Sequence, residues 1–203
     1  MQAIQETSEA VSPRERILSA ARKIFLDGPP EHATMDAVAQ QAGMSKKTIY
    51  REFKSQLELL GALFYESLEG MGEFPPPKPG DDIEIELYSV LVRMVTYGTS
   101  ARSMALMRLL ISEVRRYPEL LMNANKQPKG IPKELLANWL SSPVVRAKYQ
   151  IEDPEDAAAM LLGMVMQDSG FKLIMVPTAT MPRHLVETRA RRAVSIYLNG
   201  VRK

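Results

Sequence analysis

Residues 34–54 read TMDAVAQQAGMSKKTIYREFK, and their spacing decides the fold. Thr34 caps a short helix with Val38, Ala39 and Ala42 on one side, Gly43 stops it, and Ser45 caps a second helix with Ile49 and Phe53 four apart on its inner face. Two short helices joined by a tight glycine turn form a helix-turn-helix, a motif with specific demands on residue type. The close crossing needs a small side chain, supplied by Ala39, and the turn needs tolerance of positive φ, supplied by Gly43. The packing positions need apolar groups, supplied by Val38, Met44 and Ile49. With Ile49 and Phe53 inward, a helical wheel gathers Lys47, Tyr50, Arg51 and Lys54 on the opposite face. That face suits a major groove. Lysine and arginine neutralise phosphates or bond guanine edges, a tyrosine hydroxyl reaches a phosphate, and the amides at Thr34 and Ser45 attract anions.

Outward from this stretch the chain continues as helices. Ser12, Pro13 and Glu15 form a capping box for a first helix carrying Ile17, Ala21, Ile24 and Phe25, which Gly28, Pro29 and Pro30 end. From Ser55 a longer helix runs to about Gly70, where glycines and the prolines at 75, 76, 77 and 79 place a domain linker. Ile83, Ile85 and Leu87 alternate as a strand would, but Ile83, Leu87, Val90, Leu91 and Met94 fit the helical period over a longer window. Further helices are expected over Ser100–Tyr117, around Lys133–Ala147, from Pro154 to about Met175, and from Pro182 to about Leu198, with a looser segment through Lys126–Pro132. The chain therefore reads as all-α. The expected organisation is a flexible arm over 1–12, a three-helix DNA-binding domain over 13–72 with its helix-turn-helix at 35–54, and a helical bundle over 81–203.

Charge and composition narrow the function. The 203 residues carry a net charge of +2, too small to argue for nucleic acid by itself. Residues 1–70 hold eight Lys or Arg against ten Asp or Glu, yet Ser45–Lys54 alone is +3, so a nucleic-acid footprint is confined to that segment. The absence of cysteine removes thiolate chemistry, and the two histidines, His32 and His184, lack the Glu-x-x-His spacing of helical di-iron sites. No phosphate-cradling glycine loop, nucleophile elbow or carboxylate cluster appears. Accordingly no enzyme, catalytic residue, metal or cofactor is expected. The longest apolar run, Ala157–Met166, is about half the roughly 18 residues of a membrane span, and Glu6 and Glu9 stand where a secretory signal would be basic and then apolar. No membrane partner and a cytoplasmic location are the expectations. A helical protein-interaction adaptor is the alternative class, and the basic face at Lys47–Lys54 argues against it.

Ala157–Met166 is apolar around its circumference, so both faces need cover. The final helix offers a second stripe, and a four-helix interface between two copies uses Leu161, Leu162, Val165, Val186, Ala190, Ala193, Val194 and Tyr197. A central helix wholly buried in one protomer is the other arrangement.

Residues 13–64 resemble the DNA-binding domain of the TetR/AcrR family of one-component bacterial transcriptional regulators. The resemblance rests on Arg16, Ile17, Leu18, Ala20, Ala21, Phe25 and Gly28, on Ala33, Thr34, Val38 and Ala39, and on Gly43, Ser45, Lys46, Thr48, Ile49, Tyr50 and Phe53. Glu113–Leu120 and Ile151–Ala158 also resemble the family's C-terminal part. Two departures are the insertion of Pro29, Pro30, Glu31 and His32 after the helix-one glycine, and Gln56 where the family often has a phosphate-contacting lysine. The resemblance implies a homodimer that binds a palindromic double-stranded operator, and a C-terminal domain that takes a small effector, with repression relieved by it. It implies backbone-positioning roles for Thr34, Ser45, Thr48, Tyr50 and Lys54, with Lys46, Lys47 and Arg51 facing bases or nearby phosphates. It also places Met94, Tyr97, Met107, Trp139, Met164 and Phe171 in the effector-cavity helices; Gln167 and Asp168 either supply polar contacts that orient a ligand or simply cap a helix or face solvent. The thirteen methionines suit either a pocket for varied apolar shapes or ordinary core filling.

Overall fold

A computed structural model describes residues 12–27, 33–115, 117–118, 131–167 and 169–203. The arm over residues 1–11, the helix stop at Gly28–Pro30, Glu31, His32, most of the segment through Lys126–Pro132, and Asp168 lie outside the described residues. The chain forms two compact units that part between Leu63 and Phe64.

The first unit begins with α1 (Pro13–Arg22), where the Ser12 hydroxyl accepts the Glu15 amide at 3.2 Å and the Glu15 carboxylate accepts the Ser12 amide at 2.9 Å. A π-helical turn, Lys23–Asp27, follows in place of continued α-helix. Its wider winding swings Phe25, rather than Ile24, to the buried side with Ile17 and Ala21. Thr34 caps α2 (Met35–Ala42), its hydroxyl accepting the Ala37 amide at 3.2 Å. Gly43 ends that helix at φ 64 and ψ 40, and Met44 returns its amide to the Ala39 carbonyl at 3.0 Å. The Arg16 guanidinium takes the Ala42 carbonyl at 3.0 Å, satisfying another of the orphan acceptors at the end of α2. Then come α3 (Lys46–Glu52), which stops where Phe53 turns extended, and the start of α4 (Gln56–Gly70). α1 packs on α2 and α2 on α3.

The second unit takes the end of α4, then α5 (Ile83–Gly98), α6 (Ala101–Glu113), α7 (Pro132–Leu140), α8 (Pro143–Lys148), α9 (Pro154–Met166), α10 (Ser169–Met175) and α11 (Arg183–Gly200). Asp82 and Asp153 cap α5 and α9, each carboxylate accepting two amides of the first turn. α5, α7, α9 and α11 enclose the core, with Leu87, Leu91, Leu136, Leu140, Leu161 and Leu198 fully buried. Ile83 and Leu87 are buried while Ile85 is 59% exposed, the outcome of helical and not strand geometry. No strand occurs among the described residues, and no single helix among them is long and apolar enough to cross a membrane.

Three boundaries differ from the expectations. The division falls inside α4 and not at the glycine and proline run, because that run belongs to the second unit: Met71 and Pro77 are buried, Phe74 packs on the core, and Arg93 lies 4.7 Å over its ring. The expected helix over Lys133–Ala147 is two, since Pro143 has no amide to continue α7 and instead opens α8. The expected helix from Pro154 to Met175 breaks at Gln167, whose φ is 42, and α10 leaves α9 at 68°. The Arg189 guanidinium braces that break, donating to the Val165 and Met166 carbonyls at 3.3 Å each and to the Ser169 hydroxyl at 2.9 Å.

Candidate functional site

The outer face of α3 is built by what its inner face buries. Ile49 and Phe53 are fully buried, and the Arg14 guanidinium lies 4.3 Å over the Phe53 ring, closing that side of the unit. The turn from α2 fixes the direction of α3, and the Ser45 hydroxyl accepts the Thr48 amide at 3.1 Å while bonding the Thr48 hydroxyl at 2.9 Å. Lys47, Arg51 and Lys54 are exposed, and Tyr50 is 48% exposed. The eight expected contact residues thus share one neighbourhood of the first unit, but they differ in how free they are. Lys47 has no hydrogen bond or ion pair to a described residue. Lys46 reaches back to α2, its ammonium 2.6 Å from the Asp36 carboxylate. That hydrogen bond, and next the Coulomb attraction of the same carboxylate, raise the lysine above its ordinary pKa. Arg51 pairs with Glu52 at 3.2 Å. Thr34 and Ser45 already direct their hydroxyls to helix amides, so each meets a further partner only through remaining lone pairs or the hydroxyl hydrogen. Gln56 is committed to the approach to α2, donating to the Ala33 carbonyl at 3.4 Å.

In the second unit the end of α4 and the adjoining ends of α5 and α6 line a part-open cavity of about 270 Å³. Phe64, Leu68 and Met71 wall it from α4 and its continuation, Tyr97 and Gly98 from α5, Met104, Leu106, Met107 and Leu110 from α6, with Ile131 and Pro132 beyond. Of the expected lining residues, Tyr97 and Met107 are there. Met94 and Trp139 are instead 3% and 2% exposed in the core, Met164 packs against that core, and Phe171 and Gln167 face solvent. Helical spacing shows that Met94 and Trp139 are inward but not whether a void or a neighbour meets them. Phe64, Leu68 and Met71, grouped by sequence with residues 13–72 and left out of the expected lining set, recur at helical spacing, and that was the available signal.

Most of the expected interface set lies inside the protomer. Leu161, Val165, Val186, Ala190, Ala193 and Val194 are buried within the protomer, where α9 packs on α11, and Leu162 and Tyr197 pack against the same core. The outward residues of these helices are others: Met160 is 46% and Ile196 58% exposed.

Two family comparisons meet this geometry. Residues 17–63 match "Bacterial regulatory proteins, tetR family", and residues 86–200, more than half the chain, match "AefR-like transcriptional repressor, C-terminal domain". The chain belongs to the TetR family. An uncharacterized HTH-type transcriptional regulator of Mycobacterium bovis is 33% identical over 113 residues, covering 54% of this chain and 52% of that protein. The chain therefore spans about half the length of that curated relative. A TetR-family regulator of Mesorhizobium loti superposes with a TM-score of 0.76 at 20% identity, covering 94% of this chain and 97% of its own. The flavonoid-responsive regulator FrrA does so at 0.74 and 23%, with the same coverage. At these identities the superpositions establish the TetR-family fold. Within it, α2 and α3 are the helix-turn-helix, and α5 to α11 belong to the C-terminal domain.

Proposed function

We propose that this chain is a ligand-responsive transcriptional repressor that binds a palindromic operator as a homodimer and is released by a small, largely apolar effector. One observation carries the reading: α3 and the residues that follow it bury Ile49 and Phe53 completely and leave Lys47, Tyr50, Arg51 and Lys54 exposed beside a glycine-closed helix-turn-helix. Lys47, Arg51 and Lys54 supply charge for phosphates, and Arg51, once detached from Glu52, presents the planar fork that reads guanine. The pairing of two copies is supported by the apolar side chains that α9 and α11 leave in solvent, Met160 and Ile196. Effector action is supported by the cavity, since a ligand that fits one arrangement of its walls better than another shifts the dimer between states of unequal operator affinity. Sequestration in the cytoplasm follows from the same reading. A mobility-shift titration with the DNA upstream of the protein's own gene tests it. A retarded complex that Arg51→Ala weakens is expected, and failure to bind any duplex at low ionic strength overturns the proposal.

A further inference from the structure

The cavity's polar groups determine what class of molecule it accepts. Three hydroxyl residues, Ser67, Tyr97 and Ser103, stand in its wall, and the hydrogens of the last two are already committed. Tyr97 donates to the Ser67 carbonyl at 2.6 Å, filling an acceptor in the last turn of α4, and Ser103 donates to the Tyr97 carbonyl at 2.8 Å while the Ser100 hydroxyl bonds Ser103 at 2.9 Å. What the three leave to an occupant is acceptor lone pairs on oxygen and the single hydroxyl hydrogen of Ser67. Every other described side chain in the wall is aliphatic, aromatic or a thioether. A charge placed against such a surface loses its hydration with no counter-charge or set of donors to replace it.

We propose that this cavity selects an uncharged, compact, mainly apolar molecule, of about nine heavy atoms at ~30 Å³ for each water-sized group, and rejects its charged isosteres. This rests on the reading of the cavity as the effector site and adds the ligand's charge class and size. Glu113 follows Leu110 by three residues on α6 and has a buried carboxylate oxygen without a hydrogen bond, but it does not line the cavity. A cationic probe measures whether it counts. Tyr97 sets one boundary of the space: its hydroxyl lies so close to Gly70 that an added methyl there would overlap it. Gly98 offers the opposite case, lining the cavity with no atom within 4 Å of an added Cβ.

The test is isothermal titration of the full chain with two isosteric pairs: acetophenone against benzoate, and para-tert-butylphenol against para-trimethylammoniophenol. The neutral member of each pair is expected to bind, and its charged partner to bind at least roughly 100-fold more weakly. Gly98→Leu, whose Cβ meets no atom within 4 Å, and Met107→Trp are each expected to weaken the neutral probes at least about 10-fold. Equal affinity within a pair overturns the proposal, as does absence of neutral binding or indifference to both variants. Duplex binding measured on the same sample separates the two readings. Retained duplex binding without neutral-probe binding removes this inference alone, and the reverse removes the DNA-binding function alone.

Discussion

Replacing Lys47 by alanine has a calculable effect on the salt dependence of operator binding. Lys47 stands exposed on α3 with no described partner, so a phosphate it meets releases a full condensed counterion. Each such contact contributes about 0.9 to the slope of log affinity against log salt, and a twofold dimer doubles it to about 1.8. Between 50 and 200 mM salt that difference amounts to a factor of about 12, so wild type loses roughly twelve times more affinity than the variant over this range. Lys46 provides the internal comparison. Its ammonium already lies 2.6 Å from the Asp36 carboxylate, so a phosphate must compete for it, and Lys46→Ala is expected to flatten the slope less than Lys47→Ala. Asp36→Asn, by removing the competitor, should steepen the slope and raise affinity a few-fold. Fluorescence anisotropy on a labelled duplex at five salt concentrations reads all four proteins. A Lys47→Ala line parallel to wild type, or a larger change from Lys46→Ala, refutes the reasoning.

Other perturbations address the scaffold. Gly43→Ala meets no clash, its new methyl lying 3.9 Å from the Arg16 guanidinium, so its cost is that of a left-handed alanine, about 1 kcal/mol, read from the urea midpoint. Phe53→Ala empties the space between α3 and Arg14 and should cost about 3–5 kcal/mol, with loss of duplex binding as the first unit melts. Gly70→Ala should drive the Tyr97 hydroxyl from the Ser67 carbonyl and destabilise the second unit by about 1–3 kcal/mol, more than Tyr97→Phe does, as calorimetry would show. Met160→Arg combined with Ile196→Glu should turn a dimer into a monomer by light scattering while leaving secondary structure intact.

Local chemistry was readable directly wherever a residue acts on its own neighbours. The Ser12 and Glu15 capping box, the left-handed Gly43 and the caps at Thr34 and Ser45 stand as the sequence places them, because each depends on residues three or four positions away. Although Phe53 and Lys54, expected on the same helix as Ile49, follow its end, with Phe53 extended, the outward turn of Lys47, Tyr50 and Arg51 was readable from the buried Ile49. Breaks without a glycine or proline were not. Nothing in the run around Gln167 announces a positive φ, which is held in place by Arg189 from a helix about twenty residues later. The break before Pro143 did carry a signal, a serine followed by proline, but the apolar period on both sides concealed it. Most of the interface set lies inside the protomer, and most of the lining set away from the cavity, for a common reason. Helical period separates an inward face from an outward one, but it does not identify the neighbour that an inward side chain meets. Leu161 and Val194 meet α11 and α9 of their own chain, and Trp139 meets packed side chains where the cavity was expected.

Selection of bound fragments from a random duplex library tests the central claim, that paired copies of α3 enter successive major grooves. Enriched sequences should be inverted repeats whose half-sites lie about one helical turn, 10–10.5 base pairs, or a multiple of it apart. A library that stays random after repeated rounds, or one enriched only in single unrepeated half-sites, contradicts the account.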